Sequence, residues 1–193
     1  MISDFGDSRL QWHCEPGNWG IADGVLTIQP DAPTDFWRKT HYGFEADNGH
    51  FLYARVSGDF RLSAEILMTP RSQYDQAGLM VRISKTCWLK TSLEYEPGGP
   101  SRLGAVVTNA GYSDWSTQDV DASINQLRLR VTRAGADYVV EASLDAENWI
   151  HLRTAHLHEP GGPAAEVACG VYACSPKAAG LRAQFRNLVI LPT

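Results

Sequence analysis

Nowhere in this 193-residue sequence do apolar side chains recur at the helical period over a dozen residues, which excludes an architecture built on helices. There is no basic stripe either. Seventeen Lys and Arg are interspersed among twenty-two Asp and Glu, giving a net charge of −5, so no nucleic-acid partner is expected. No apolar run is long enough to cross a bilayer as a helix, and no membrane association is expected. The first seven residues, Met1 to Asp7, lack the basic and apolar segments of a signal peptide, so the expected location is cytoplasmic. Of the four cysteines (Cys14, Cys87, Cys169 and Cys174), none forms a CxxC, and no His pair completes a zinc spacing. They read as reduced thiols, with Cys87 and Cys169 inside apolar, strand-like runs. Walker A, dinucleotide-binding and nucleophile-elbow patterns are all missing, so neither cofactor nor metal is expected.

What is present is strand. From Asp59 to Thr69, Phe60, Leu62, Ala64, Ile66 and Met68 fall on one side, and Arg61, Ser63, Glu65, Leu67 and Thr69 on the other. From Ile124 to Thr132, Leu127, Leu129 and Val131 alternate with Arg128 and Arg130. Such alternation marks antiparallel sheets with one buried and one wetter face. Turn chemistry recurs at Ala22-Asp23-Gly24, Asn48-Gly49, Ser57-Gly58-Asp59, Asn109-Ala110-Gly111 and Ala134-Gly135-Ala136. Glu-Pro-Gly-Gly-Pro occurs at 96–100 and again at 159–163, and both copies read as loops because the motif cannot continue a ladder. No linker divides the chain, so residues 1–193 are expected to form one all-β domain, a sandwich or barrel.

Two hairpins can be registered. Gln76–Ile83 and Cys87–Glu94 turn around Lys85, which sets Ile83 against Cys87, Val81 against Leu89, Leu79 against Thr91 and Ala77 against Leu93 on an apolar face. The other face pairs Arg82 with Trp88, Met80 with Lys90, Gly78 with Ser92 and Gln76 with Glu94. A one-residue slip would mix the two sets. The polar face has two readings. One is a solvated outer face with an Arg82–Trp88 cation–π pair and a Lys90–Glu94 charge contact. The other is a concave ligand-binding face, which Gly78 favours because a mid-strand glycine often marks close approach of a ligand or backbone. A second hairpin around Gly135 sets Val131 against Val140, Leu129 against Ala142 and Leu127 against Leu144, with an exposed Arg130–Glu141 ion pair.

Gly111-Tyr112-Ser113-Asp114-Trp115-Ser116 puts a polar tip between aromatics. That suits a sugar, whose C–H faces stack while its hydroxyls bond carboxylates. The alternative is a turn that bonds its own backbone. Asp35-Phe36-Trp37-Arg38 is a similar rim. Asp75 could anchor a ligand, act as an acid or serve a strand-entry turn. Glu94, Glu96 and Asp75 together would permit glycoside hydrolysis. However, the ExDxxE spacing of sandwich glycanases is missing, and Lys90 beside Glu94 is expected to hold that carboxylate ionised. His156 and His158 alternate on one strand but, without a third ligand, read as surface histidines.

These segments resemble the DUF1349 or regulation of enolase protein 1-like family. The resemblance rests on Asp35–Arg38, Asp47-Asn48-Gly49-His50-Phe51, Gly58-Asp59-Phe60, Tyr74-Asp75-Gln76-Ala77-Gly78-Leu79-Met80, Trp88-Leu89-Lys90, Glu94, Ser113-Asp114-Trp115-Ser116 and Cys174-Ser175-Pro176. It implies a concanavalin A-like jelly-roll sandwich of two antiparallel sheets, one concave, related to non-catalytic domains attached to some glycosidases. The expected function is binding of a carbohydrate or carbohydrate-derived polar metabolite, with Trp37, Asp75, Gln76, Trp88, Lys90, Glu94, Ser113, Asp114 and Trp115 as site residues and no catalytic residues. The alternatives are an enzyme acting on a sugar-like substrate and a regulator docking on a metabolic enzyme. A protein partner or a homodimer is compatible with each.

Overall fold

A computed structural model describes residues 1–158 and 165–193, so the second Glu-Pro-Gly-Gly-Pro segment lies outside the described residues. Sixteen strands run through them in order: β1 (Gln11–His13), β2 (Asn18–Ala22), β3 (Val25–Gln29), β4 (Phe36–Arg38), β5 (Glu45–Asp47), β6 (His50–Val56), β7 (Phe60–Thr69), β8 (Gln76–Ser84), β9 (Cys87–Glu94), β10 (Ser101–Asn109), β11 (Tyr112–Val120), β12 (Gln126–Ala134), β13 (Asp137–Ser143), β14 (Ile150–His156), β15 (Val167–Cys174) and β16 (Arg182–Pro192). No helix among the described residues is long and apolar enough to cross a membrane.

The strands form two seven-stranded antiparallel sheets and a two-stranded ribbon. The first sheet runs β1-β6-β15-β8-β9-β10-β11, the second β14-β13-β12-β7-β16-β3-β2, and β4 pairs with β5. The expected sandwich is thus present. Its main core lies between the sheets. The second sheet supplies Phe60, Leu62, Ala64, Ile66 and Met68 from β7, which faces Leu79, Val81, Leu89 and Val171 of the first. Each of the alternating residues read from the sequence of β7 and β12 falls where its period puts it, because one face of each strand meets the opposing sheet. The first Glu-Pro-Gly-Gly-Pro segment is the loop between β9 and β10.

The β8–β9 register matches expectation from Gln76↔Glu94 to Arg82↔Trp88. It differs at the turn. Ser84, not Ile83, faces Cys87, across a shift between Arg82 and Ser84. The Ser84 hydroxyl accepts from the Thr86 N–H at 3.1 Å and closes a tighter turn, while the irregularity at Ile83 restores alternation. The β12–β13 ladder holds as expected, with Leu129↔Ala142, Arg130↔Glu141 and Val131↔Val140.

A second, smaller core sits on the outer face of the first sheet. Phe51, Met80, Trp88, Val106, Ala168, Tyr172 and Cys174 rise from that face, and Phe36 and Trp37 of the β4–β5 ribbon descend onto them. The ribbon is pinned at several points. Arg82 grips Asp47 with two hydrogen bonds of 2.6 and 3.0 Å. The Arg38 N–H donates to Ser113 Oγ at 3.0 Å, and Lys90 Nζ donates to the Phe36 carbonyl at 2.8 Å. β15 is consequently covered on both faces and buried along its whole length.

A lidded polar cleft on the outer sheet face

Strand pairing lays the outer-face residues in rows across the sheet. One row runs Gln76, Glu94, Arg102, Asp119; the next Gly78, Ser92, Gly104, Thr117; the next Met80, Lys90, Val106, Trp115. The ribbon covers the Trp88 end of these rows and leaves the Gln76–Glu94 end open. There a cleft of about 530 Å³ forms, well inside the usual range for small-molecule sites. Its floor is Gln76, Lys90 and Glu94. Trp37, Tyr42 and Phe44 of the ribbon and its turn line one side, and Trp115 and Thr117 of β11 the other. Tyr74, Glu96, Arg102 and Lys177 complete the rim.

The floor is wired as a chain. Lys90 Nζ, buried at 4% exposure, donates to Gln76 Oε1 at 2.9 Å, to the Phe36 carbonyl at 2.8 Å and to Asp35 Oδ1 at 3.2 Å. An ammonium has three hydrogens, so these contacts use all of them. Gln76 Oε1 also accepts from the Tyr172 hydroxyl at 3.1 Å, and Gln76 Nε2 donates to the Tyr74 carbonyl at 3.2 Å and to Glu94 Oε2 at 3.1 Å. Gln76 is thereby saturated as both donor and acceptor. Its task is to aim Glu94.

Glu94 departs from expectation. It was expected to be ionised by Lys90. Burial instead pushes its carboxyl up to about 7, against the opposing pull of Lys90, with Asp35 and Glu96 adding to the rise and Arg102 opposing it. The physical reason is desolvation: Lys90, itself paired with Asp35 at 3.2 Å, pulls the other way but does not outweigh it. Neither the Lys90–Glu94 ion pair nor the Arg82–Trp88 cation–π contact forms among the described residues. Arg82 serves Asp47, and the cation over the Trp88 ring is Lys90, at 5.9 Å.

The structure brings Trp37, Gln76, Lys90, Glu94 and Trp115 to one cleft and leaves the other four expected residues outside it. Trp88 is fully buried beneath Phe36, with ring centroids 6.3 Å apart. Asp75 is fully buried too. Its Oδ2 accepts from the N–H groups of Arg71 and Ser72 at 2.8 and 2.9 Å, so it organises the loop entering β8. Ser113 pins the ribbon and meets Thr108 Oγ1 at 2.8 Å. Asp114 points to the opposite side of β11, where Arg153 of β14 donates to it at 2.9 Å. The last two follow from alternation: Ser113 and Trp115 share the cleft face, and Asp114 cannot. Gly78 also changes meaning. A Cβ there would lie 1.8 Å from the Thr91 carbonyl oxygen, so the glycine serves close approach of a neighbouring strand, not of a ligand.

Tyr42, Phe44, Arg102, Thr117 and Lys177 line the cleft as well, none of them among the expected site residues. Extending the register through the Asn109-Ala110-Gly111 turn would have found Arg102 and Thr117, since Ala110 and Gly111 both take positive φ in a tight hairpin. Tyr42, Phe44 and Lys177 reach the cleft only through the path of their loops. His156 and His158 lie with ring centroids 4.9 Å apart, and His156 Nδ1 is 2.6 Å from Asp137 Oδ1. No group of three potential metal ligands occurs among the described residues.

Two facing sheets with a ribbon-lidded cleft on the outer face of one define a concanavalin A-like sandwich of the jelly-roll class. Within it, the chain belongs to the DUF1349 family of proteins of unknown function, whose model matches residues 12–193. It is 37% identical over 178 residues, 92% of this chain and 87% of the relative, to "Regulation of enolase protein 1" of Saccharomyces cerevisiae. A functionally unknown Saccharomyces cerevisiae protein of known crystal structure superposes with a TM-score of 0.87 at 33% identity, covering 96% of this chain and 97% of the other. A carbohydrate-binding module from Bacillus subtilis superposes with a TM-score of 0.57 at 11% identity, covering 93% and 94% of the two chains, a likeness of fold alone.

Proposed function

We propose that this chain is a non-catalytic cytoplasmic protein that binds a carbohydrate or carbohydrate-derived polar metabolite in the lidded cleft. The observation that carries the reading is the chain Asp35–Lys90–Gln76–Glu94. It holds a carboxyl group in fixed orientation at the foot of a cleft walled by Trp37, Tyr42, Phe44 and Trp115. Aromatic walls over fixed hydrogen-bonding groups match the two-sided chemistry of a sugar ring. The carbohydrate-binding module of like fold supports the same reading.

Calorimetric titration of a panel of monosaccharides and sugar phosphates tests it. Trp115, which stands 39% exposed on the cleft wall, can be removed with little cost to the fold. Trp115→Ala should weaken any ligand found by about five- to tenfold. An unchanged Kd in both Trp115→Ala and Glu94→Gln would overturn the site. Turnover of a glycoside that is lost in Glu94→Gln would favour the enzymatic alternative, for which a carboxyl held near 7 would be a suitable acid.

A second reading, regulation of a metabolic enzyme through a docked protein partner, is supported by the name of the yeast relative. The edge strand β2, exposed at each of its five residues and presenting Trp19 and Ile21, is compatible with it.

A further inference from the structure

The hydrogen-bonding groups of the cleft are unequally engaged. Its two buried polar floor residues are saturated: Lys90 by Asp35, Phe36 and Gln76, and Gln76 by Lys90, Tyr172, Tyr74 and Glu94. Arg102 is paired with Asp119 of the neighbouring strand. Lys177 is exposed and lies over the Tyr74 ring at 5.4 Å. The carboxylates are less committed. Among the described residues, Glu94 accepts one hydrogen bond, from Gln76, and Glu96 one, from Gln73 at 2.5 Å. A carboxylate has room for about four.

The aromatic lining has the same polarity. Trp37, Tyr42 and Phe44 cluster with ring centroids 5.4 to 6.4 Å apart, and Tyr42 and Phe44 stand 57% and 45% exposed. The faces of such rings carry negative quadrupole charge and attract cations. With Lys90 balanced by Asp35 and Arg102 by Asp119, the floor and the aromatic wall offer a ligand acceptor oxygens and π faces, while the ammonium of Lys177 stands apart at the rim over Tyr74.

From this we infer that the preferred ligand is an amino sugar, a hydroxylated ring bearing a primary ammonium, with the ammonium held by Glu94 and Glu96 against the Trp37–Tyr42–Phe44 wall. The inference rests on the carbohydrate-binding reading and specifies the ligand class within it. An anionic sugar would meet the same two carboxylates with no unengaged buried cation to receive it.

The test compares glucose, glucosamine, 6-amino-6-deoxyglucose and glucuronate by calorimetry at pH 8, with butylammonium chloride as a cation lacking the ring. Glu94, faced by Lys90, Asp35, Glu96 and Arg102, is ionised there, and the 6-amino group is an alkylammonium. 6-Amino-6-deoxyglucose should bind at least about tenfold tighter than glucose, the size expected of one charge-assisted contact. Glucuronate should bind more weakly than glucose. Glu94→Gln should collapse the ammonium preference to near one, whatever it does to glucose itself. Equal or weaker binding of the amino sugars relative to glucose would overturn the inference and leave carbohydrate binding standing. Butylammonium binding as tightly as the amino sugar would overturn the sugar half of it. No heat with any of the four sugars would remove the underlying reading as well. Should Glu94→Gln fail to fold, the wild-type ranking decides alone.

Discussion

The hairpins β8–β9 and β12–β13 follow one pattern and meet opposite fates. Each alternates an apolar face, turned into the main core, with a face of charged and polar residues turned outward. On β12–β13 the outward face remains at the surface. Arg130 Nε donates to Glu141 Oε2 at 2.7 Å, and the guanidinium lies 4.0 Å from the centre of the Trp149 ring. On β8–β9 the corresponding face is roofed. Lys90 and Gln76 retain 4% and 2% of their exposure, and Trp88 none. Residue type does not separate the two hairpins. Cover does, and it comes from a three-residue strand, Phe36–Arg38, more than fifty positions before Lys90.

The contrast has measurable consequences, the largest at Lys90. Lys90→Ala would strand Asp35, the Phe36 carbonyl and Gln76 in a roofed space. The expected cost is about 3–5 kcal/mol, the usual penalty for removing one partner of a buried charged pair. Urea unfolding reads it directly. A cost below about 1 kcal/mol would mean that water reaches the floor and that the two hairpins are alike.

The second difference is one of sign. Burial places Glu94 at about 7 in the folded chain, against an ordinary 4.5. The folded state therefore retains a proton that the unfolded state releases between these values. This group's contribution is fully present below about pH 4.5 and is lost as the pH climbs toward 7. Glu141 shifts the other way. The hydrogen bond from Arg130 lowers its carboxyl, so its contribution is present above 4.5 and is lost as the pH falls through the folded value. Urea midpoints between pH 4.5 and 8 should decline less steeply in Glu94→Gln than in the wild type. Superimposable slopes would show Glu94 to be hydrated.

The smallest effect belongs to the exposed pair. Arg130→Ala should cost no more than about 1 kcal/mol for a solvent-screened ion pair, with a similar increment from its packing on Trp149. A loss approaching that of Lys90→Ala would show that surface position is not what separates the hairpins.

Much of the cleft could be read in the chain because period-two alternation and a turn suffice to place Gln76, Lys90 and Glu94 on one face. The same rule, applied to β11, separates Trp115 and Ser113 from Asp114, whose carboxylate faces Arg153 of the other sheet. Trp88 could not be placed this way. It shares its face with Lys90 yet belongs to a second core, because Phe36 packs on it with ring centroids 6.3 Å apart and on Tyr172 beside it at 6.1 Å. For Asp75 the strand-entry turn was one of three readings, and loop backbone, which takes its carboxylate, selects it over a ligand anchor or an acid. The state of Glu94 turned on its burial in the cleft, whose wall Trp37, Tyr42 and Phe44 bring from far away in the chain.

The sequence by itself determined that this chain is all strand, how its two hairpins register and which side chains share each face, for these follow from local period and turn chemistry. Only the tertiary structure decided which faces are core, cleft or surface. Burial depends on what lies above a face, and the ribbon that roofs β8–β9 is held there by contacts between residues far apart in the chain.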